Sequence, residues 1–236
     1  VLPCERTWLG CRRGALAPGC QGNRARKCGG VARFPRRDAA AGRPCPRHVQ
    51  RRLRRYSRAT ARAPGRSNQH QPVSAIVYLH GFLSSPASTK ASQLGEYLRC
   101  QAPDVAYVVP ALPHRPARAV EMATAALNAL GGEPLLVGSS LGGFYATVLA
   151  ERFACRAVLI NPAVRPQHLF SRLKGPQRNP YTGEAFELSG DHLAELRALD
   201  PLRITHPDRY WLLAETGDEV LDYREAVAFY AGARQD

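Results

Sequence analysis

Gly138-Ser139-Ser140-Leu141-Gly142-Gly143 places a serine at G-x-S-x-G spacing, directly after the apolar run Leu135-Leu136-Val137 and before helix-forming residues. A strand that turns sharply into a helix at this serine lifts its hydroxyl clear of the sheet, and the flanking glycines let a neighbouring strand and helix approach. The helix that begins there also aims unpaired N–H groups at whatever forms beside the serine. The chemistry these features suit is nucleophilic attack by Ser140. A neutral hydroxyl attacks poorly without an adjacent base, so the surrounding elements must deliver further groups.

Short apolar runs alternate with helical periodicity from Val73 onward, the pattern of a parallel sheet covered by helices. Strands are expected at 75–79, 105–109, 135–137, 157–160 and 210–213. Ser88 or Thr89 is placed to cap a first helix with apolar positions Ala91, Leu94 and Leu98. Val120, Ala123, Leu127 and Leu130 mark one face of a second, stopped by Gly131-Gly132. The helix after Ser140 should run to about residue 152. Residues 163–207 lose the alternation, hold the turn Asn179-Pro180-Tyr181-Thr182-Gly183 and a helix around 192–199, and are expected to form a short cap. Ligands of open parallel sheets bind beyond the carboxyl ends of the strands. The loops at 80–85, 138–143 and 215–222 all fall at that edge.

Charge divides the 236 residues in two. Residues 1–72 hold 18 Lys and Arg against Glu5 and Asp38, a net of +16; residues 73–236 hold 15 against 17, a net of −2, which together give the chain's +14. The first segment is rich in Arg, Gly and Pro and poor in large apolar residues, so it is expected to be a disordered basic extension unable to offset its chain entropy. Its five cysteines include no C-x-x-C pair and lie near a single imidazole, His48, which gives a zinc site little support. Arg51-Arg52-Leu53-Arg54-Arg55 would attract phosphate backbones, but the segment lacks aromatic interleaving, and nucleic-acid binding is the lesser alternative. The start at Val1 and the change of composition near Pro72 favour a non-functional leader over an organellar transit sequence. No run has the length of a signal peptide or a membrane span, and Cys100 and Cys155 imply no disulfide framework. A soluble, cytoplasmic protein is expected.

Tyr78-Leu79-His80-Gly81-Phe82 with Ser84-Ser85-Pro86, the Ser140 hexapeptide, Asn161-Pro162-Ala163-Val164-Arg165-Pro166, Asn179 to Gly183, and Thr216 to Tyr223 occur in an order that resembles the small bacterial YqiA-type esterases of the α/β-hydrolase superfamily. The likeness covers about residues 75–235. It implies a serine esterase acting on acyl esters or thioesters, with Ser140 as nucleophile, Asp218 as the acid that orients a histidine, and the N–H groups of Phe82 and Leu141 as oxyanion hole. No metal or organic cofactor is implied. In such hydrolases the histidine follows the acid. Here all seven histidines, 48, 70, 80, 114, 168, 192 and 206, precede Asp218. The resemblance therefore implies a domain, 73–236, lacking its last strand and helix, with the base beyond Asp236 and activity impaired.

Each candidate also has a plainer reading. Asp218 fits an ordinary turn, and Asp222 fits a helix N-cap better than a catalytic acid. His80, directly before the oxyanion turn, is expected to be structural. His114, between prolines, and His192, in the cap, are read as surface residues with the pocket wall as the alternative. Arg165 is either a solvated loop residue or a contact for a substrate anion. Phe82 and Leu83 either shape an acyl pocket or pack in the core. A non-catalytic binding scaffold of the same fold is the alternative to an esterase.

Overall fold

The computed structural model describes residues 31–33 and 73–236. The reading of residues 1–72 as an extension thus lies outside the described residues, apart from Val31–Arg33. Among the described residues, seven strands form one sheet in the order β1-β3-β2-β4-β5-β8-β9. β2 (Ala75–Leu79), β3 (Ala106–Pro110), β4 (Leu135–Ser139), β5 (Ala157–Ile160), β8 (Tyr210–Leu213) and β9 (Arg234–Gln235) run parallel, whereas β1 (Val31–Arg33) lies antiparallel on β3. The sheet with its helices is an α/β-hydrolase-like fold, as expected from the sequence.

Alternation within the central strand explains how both faces are covered. Val77 and Leu79 of β2 join a core with Leu136, Leu159 and Leu212, packed under α2 (Pro116–Leu130) and α3 (Leu141–Phe153). Ile76 and Tyr78 point the other way, to a smaller core under α1 (Thr89–Gln101) with Ala91, Leu98, Val109 and Val137. Successive strand residues point to opposite faces, so a continuous apolar run is what a strand buried on both sides requires. Gly131 ends α2 with φ +65° and ψ 174°, a positive-φ conformation that glycine accepts without strain, where the sequence places the helix stop.

Between β5 and β8 the chain builds the cap. α4 (Gln167–Arg172) is followed by an antiparallel hairpin, β6 (Gly175–Arg178) and β7 (Ala185–Leu188), and by α5 (Gly190–Leu199). A 3₁₀ turn (Pro207–Arg209) leads into β8, and α6 (Tyr223–Phe229) joins β8 to β9. The hairpin has no counterpart in the sequence reading, because its strands Gly-Pro-Gln-Arg and Ala-Phe-Glu-Leu carry little β-branched or alternating pattern. Among the described residues, no helix is long and apolar enough to cross a membrane.

Candidate active site

β4 lies between β2 and β5, and its ladder continues one residue past the strand, where the Ser140 N–H donates to Ile160 O at 3.0 Å. Ser140 then turns with φ 54° and ψ −122°, outside the regions a side chain ordinarily accepts, a strain of about 1–3 kcal/mol. The next residue, Leu141, starts α3. Two glycines make the turn sterically feasible: a Cβ on Gly142 would sit 2.0 Å from Leu79 O, and one on Gly138 2.4 Å from Gly142 O. The backbone is thus pinned on both sides. The Ser140 hydroxyl meets no hydrogen-bonding partner among the described residues, and the residue is partly exposed at the carboxyl edge of the sheet.

The turn after β2 faces this hydroxyl. A Cβ built on Gly81 would lie 3.7 Å from Ser140 Oγ. His80 is buried and holds the turn with both nitrogens: the Leu112 N–H donates to Nε2 at 3.1 Å, and Nδ1 lies 3.1 Å from Gly81 O. Nε2 accepts, so Nδ1 carries the proton and donates to that carbonyl. Burial lowers the imidazole pKa against the smaller opposing effect of the Gly81 carbonyl. This is the structural role its position suggested, with no lone pair left for proton transfer. The N–H groups of Phe82 and Leu141 meet no acceptor among the described residues. The Phe82 ring packs on Phe170 of α4 and Phe186 of β7, with centroids 4.6 and 6.0 Å apart, which ties the turn to the cap.

Asp218 lies in the loop after β8. Its Oδ1 accepts from the N–H groups of Val220 and Leu221 at 2.9 and 3.0 Å, and its Oδ2 from Asn161 Nδ2 at 2.8 Å. Burial pushes the carboxyl upward, but those donors, with the more distant Lys90 charge, outweigh it and hold the pKa below the usual range. Asn161 is the residue that joins the acid loop to the elbow. Its Oδ1 accepts the Glu215 N–H at 2.7 Å, its own N–H donates to Leu213 O at 3.0 Å, and it directly follows Ile160, the acceptor for Ser140. From the sequence Asn161 has no role beyond ending a strand; the signal present there is its residue type, since asparagine tolerates positive φ, and the structure gives it φ 41°. Asp222 caps α6 by accepting the Arg224 N–H at 3.0 Å. Arg165 is exposed.

A narrow cleft of about 20 Å³ opens between the Gly81–Ser84 turn and the cap, floored by Leu141 and Tyr145 and walled by His114, Glu184 and Phe186. Asn179 fastens the cap to the turn: its Nδ2 donates to Ser84 O at 2.9 Å while its Oδ1 accepts from Tyr181 and Thr182 N–H. His192 corrects the expectation of a surface residue, for it is 2% exposed. It reaches His114 across the cleft wall, Nε2 to Nδ1 at 2.9 Å. Burial, then the unfavourable electrostatics of the neighbouring His114 ring and Arg115, lower its pKa against the smaller opposing effect of Glu195 and Asp191. Arg115 pairs with Glu195 of α5, whose second oxygen accepts the Ala117 N–H at 3.1 Å, so the start of α2 is held against the cap helix. No imidazole among the described residues is hydrogen-bonded to Ser140 or to Asp218.

Solved structures with this fold include alpha/beta hydrolase domain-containing protein 10 from mouse, 17% identical with a TM-score of 0.53 over 74% of this chain and 80% of that one. Est1E from Butyrivibrio proteoclasticus is 14% identical, with a TM-score of 0.52 over 72% of this chain and 79% of its own. Paleococcus ferrophilus monoacylglycerol lipase is 16% identical, with a TM-score of 0.52 over 69% of this chain and 83% of its own. At such identities the likeness establishes the fold. Residues 75–236 match the family described as Uncharacterised protein family (UPF0227), the YqiA family that their motifs resemble, and the chain belongs to it.

Proposed function

We propose that the chain is built as a serine hydrolase of carboxylic esters or thioesters working through an acyl-enzyme. The observation that carries this reading is the strained Ser140 elbow, its free hydroxyl set against the Gly81–Phe82 turn with two unpaired N–H groups beside it. In this reading Ser140 Oγ attacks the ester carbonyl, and the Phe82 and Leu141 N–H groups receive the oxyanion. Each such donor is worth about 3–4 kcal/mol of transition-state stabilisation. Collapse expels the alcohol or thiol, and water then hydrolyses the acyl-serine. Asp218, ionised and fixed by Asn161, is the group that would orient an imidazole. The names of the esterase and lipase structures with this fold fit an ester substrate. Chemistry of this kind needs no cofactor, and Cys100 and Cys155, both free thiols, suit a reducing cytoplasm.

The base is the group this arrangement does not supply: the nitrogens of His80 are both engaged, and those of His192 bond to the cap and to His114. Among the described residues, no imidazole is therefore assigned as the base. A serine working without a base loses a factor of about 10⁶ in turnover, so in this arrangement Ser140 should hydrolyse nitrophenyl butyrate barely above background. That same feature favours the second reading, a binding scaffold of hydrolase fold. Prolonged exposure to a fluorophosphonate with imidazole added as external base separates them. Phosphonylation mapped by mass spectrometry to Ser140, and absent in Ser140→Ala, supports the hydrolase; an unmodified Ser140 supports the scaffold.

A further inference from the structure

We infer that the cleft beside Ser140 selects esters carrying a hydroxyl group, which His114 and Glu184 bind together as donor and acceptor. This rests on the reading of Ser140 as nucleophile and specifies the substrate of that site.

Proton positions in the cap wall follow from one backbone donor. The Ser189 N–H points at His192 Nδ1, 3.2 Å away, so that nitrogen must be an acceptor. His192 is buried and neutral, and its proton therefore sits on Nε2, which donates to His114 Nδ1 at 2.9 Å. His114 in turn carries its proton on Nε2. The chain of bonds ends in an N–H at the cleft, fixed in direction because the His114 ring is stacked on Phe186 with centroids 4.1 Å apart and planes at 12°.

Opposite this N–H stands the Glu184 carboxylate, with Nε2 and Oε1 4.0 Å apart. That separation is too long for a hydrogen bond and suits one oxygen that bridges them from beside the line joining them, about 2.8 Å from each. A hydroxyl meets both demands, accepting from His114 and donating to Glu184. A carboxylate or phosphate would face Glu184 as a like charge, and a methyl group would cover the His114 N–H without accepting from it, leaving the half-exposed Glu184 to water. The space is about 20 Å³, room for one group the size of water. Leu141, which also lines this cleft, is the residue that follows the nucleophile, so the cleft adjoins the Ser140 turn and can take a substituent of the bound ester. Discrimination of this kind is strong where a site leaves polar groups unpaired without the matching substituent.

Isosteric ester pairs test the inference by binding, without turnover. In the full chain carrying Ser140→Ala, the affinity of 2-hydroxyethyl butyrate is compared with that of propyl butyrate, and ethyl 4-hydroxybutyrate with ethyl pentanoate, by ligand-observed NMR. A preference of about tenfold for the hydroxylated member is expected in one pair, from one or two hydrogen bonds, one of them to a charged group. The pair that shows it tells whether the hydroxyl belongs to the alcohol or the acyl side. Glu184→Ala, at an exposed side chain whose hydrogen bonds are all made by its backbone, should fold and bring the ratio close to one; His114→Phe keeps the stacked ring and should do the same. Equal affinities in both pairs, as when only water occupies the cleft, overturn the inference, and so does a preference that survives Glu184→Ala. Because no acylation is read, an unreactive Ser140 would refute the hydrolase reading without touching this result.

Discussion

The elbow and the cap reach the same cleft from opposite sides, and they are held by different forces. Around Ser140 the constraint is steric and lies in the backbone: β2, β4 and α3 come so close that Gly142 has carbonyl oxygen where a methyl would go. In the cap the constraint is a set of side-chain hydrogen bonds between residues far apart in sequence, Asn179 with Ser84, His192 with His114 and Glu195 with Arg115. A rigid backbone fixes the reacting group, whereas a polar, adjustable wall shapes what is presented to it.

One substitution made in both regions gives the largest contrast. Gly142→Ala puts a Cβ 2.0 Å from the Leu79 carbonyl oxygen, which cannot move without tearing β2 from the sheet, so a loss of about 3 kcal/mol or more is expected. Gly190→Ala, in the first turn of α5, meets nothing within 4 Å and has no unusual φ, so it should be neutral or stabilise by a few tenths to about 1 kcal/mol. Urea denaturation of the two variants checks both values. Similar midpoints would remove the distinction between backbone and side-chain constraint.

Asn179→Ala sharpens the comparison from the cap side. Asn179 is 9% exposed, and three hydrogen bonds end on its amide, so truncation leaves the Ser84 carbonyl and two turn N–H groups to find other partners. About 2 kcal/mol is the expected cost. The loss should be local. Amide exchange should quicken in β6 and β7 while β4 and the start of α3 keep their protection, and equal acceleration in both would mean the cap is no separate unit.

These forces also explain what was legible in the residues. Gly138, Ser140, Gly142 and the apolar run before them announce the elbow, because few residue types tolerate that geometry. Asp218 was placed by its position after a late strand, and the structure bonds it to Asn161. Five strands were found within about a residue or two of their observed ends, since strands buried on both faces leave an unbroken apolar signature. The β6–β7 hairpin and the burial of His192 were not legible. A polar side chain buried through partners 78 residues away has the same local sequence as one facing water, and only the tertiary fold distinguishes them.

Each region also keeps one buried neutral histidine, and the smallest expected effect compares them directly. His80 behind the elbow and His192 in the cap are both held below the ordinary value of 6.5, by burial in each case. Between the folded values and 6.5 the unfolded chain takes up protons that the folded chain refuses. Stability is therefore full above about pH 7, falls as the pH drops through 6.5, and stops falling from this source below the folded values. Each group contributes at most about 1.4 kcal/mol per pH unit. Urea midpoints taken from pH 7.5 to 5 should show that decline in the parent and a shallower one in His80→Phe and in His192→Phe, whatever their absolute stabilities. If only His80→Phe flattens the curve, His192 accepts its proton in the folded state, and the cap, unlike the elbow, yields to protonation without losing the fold.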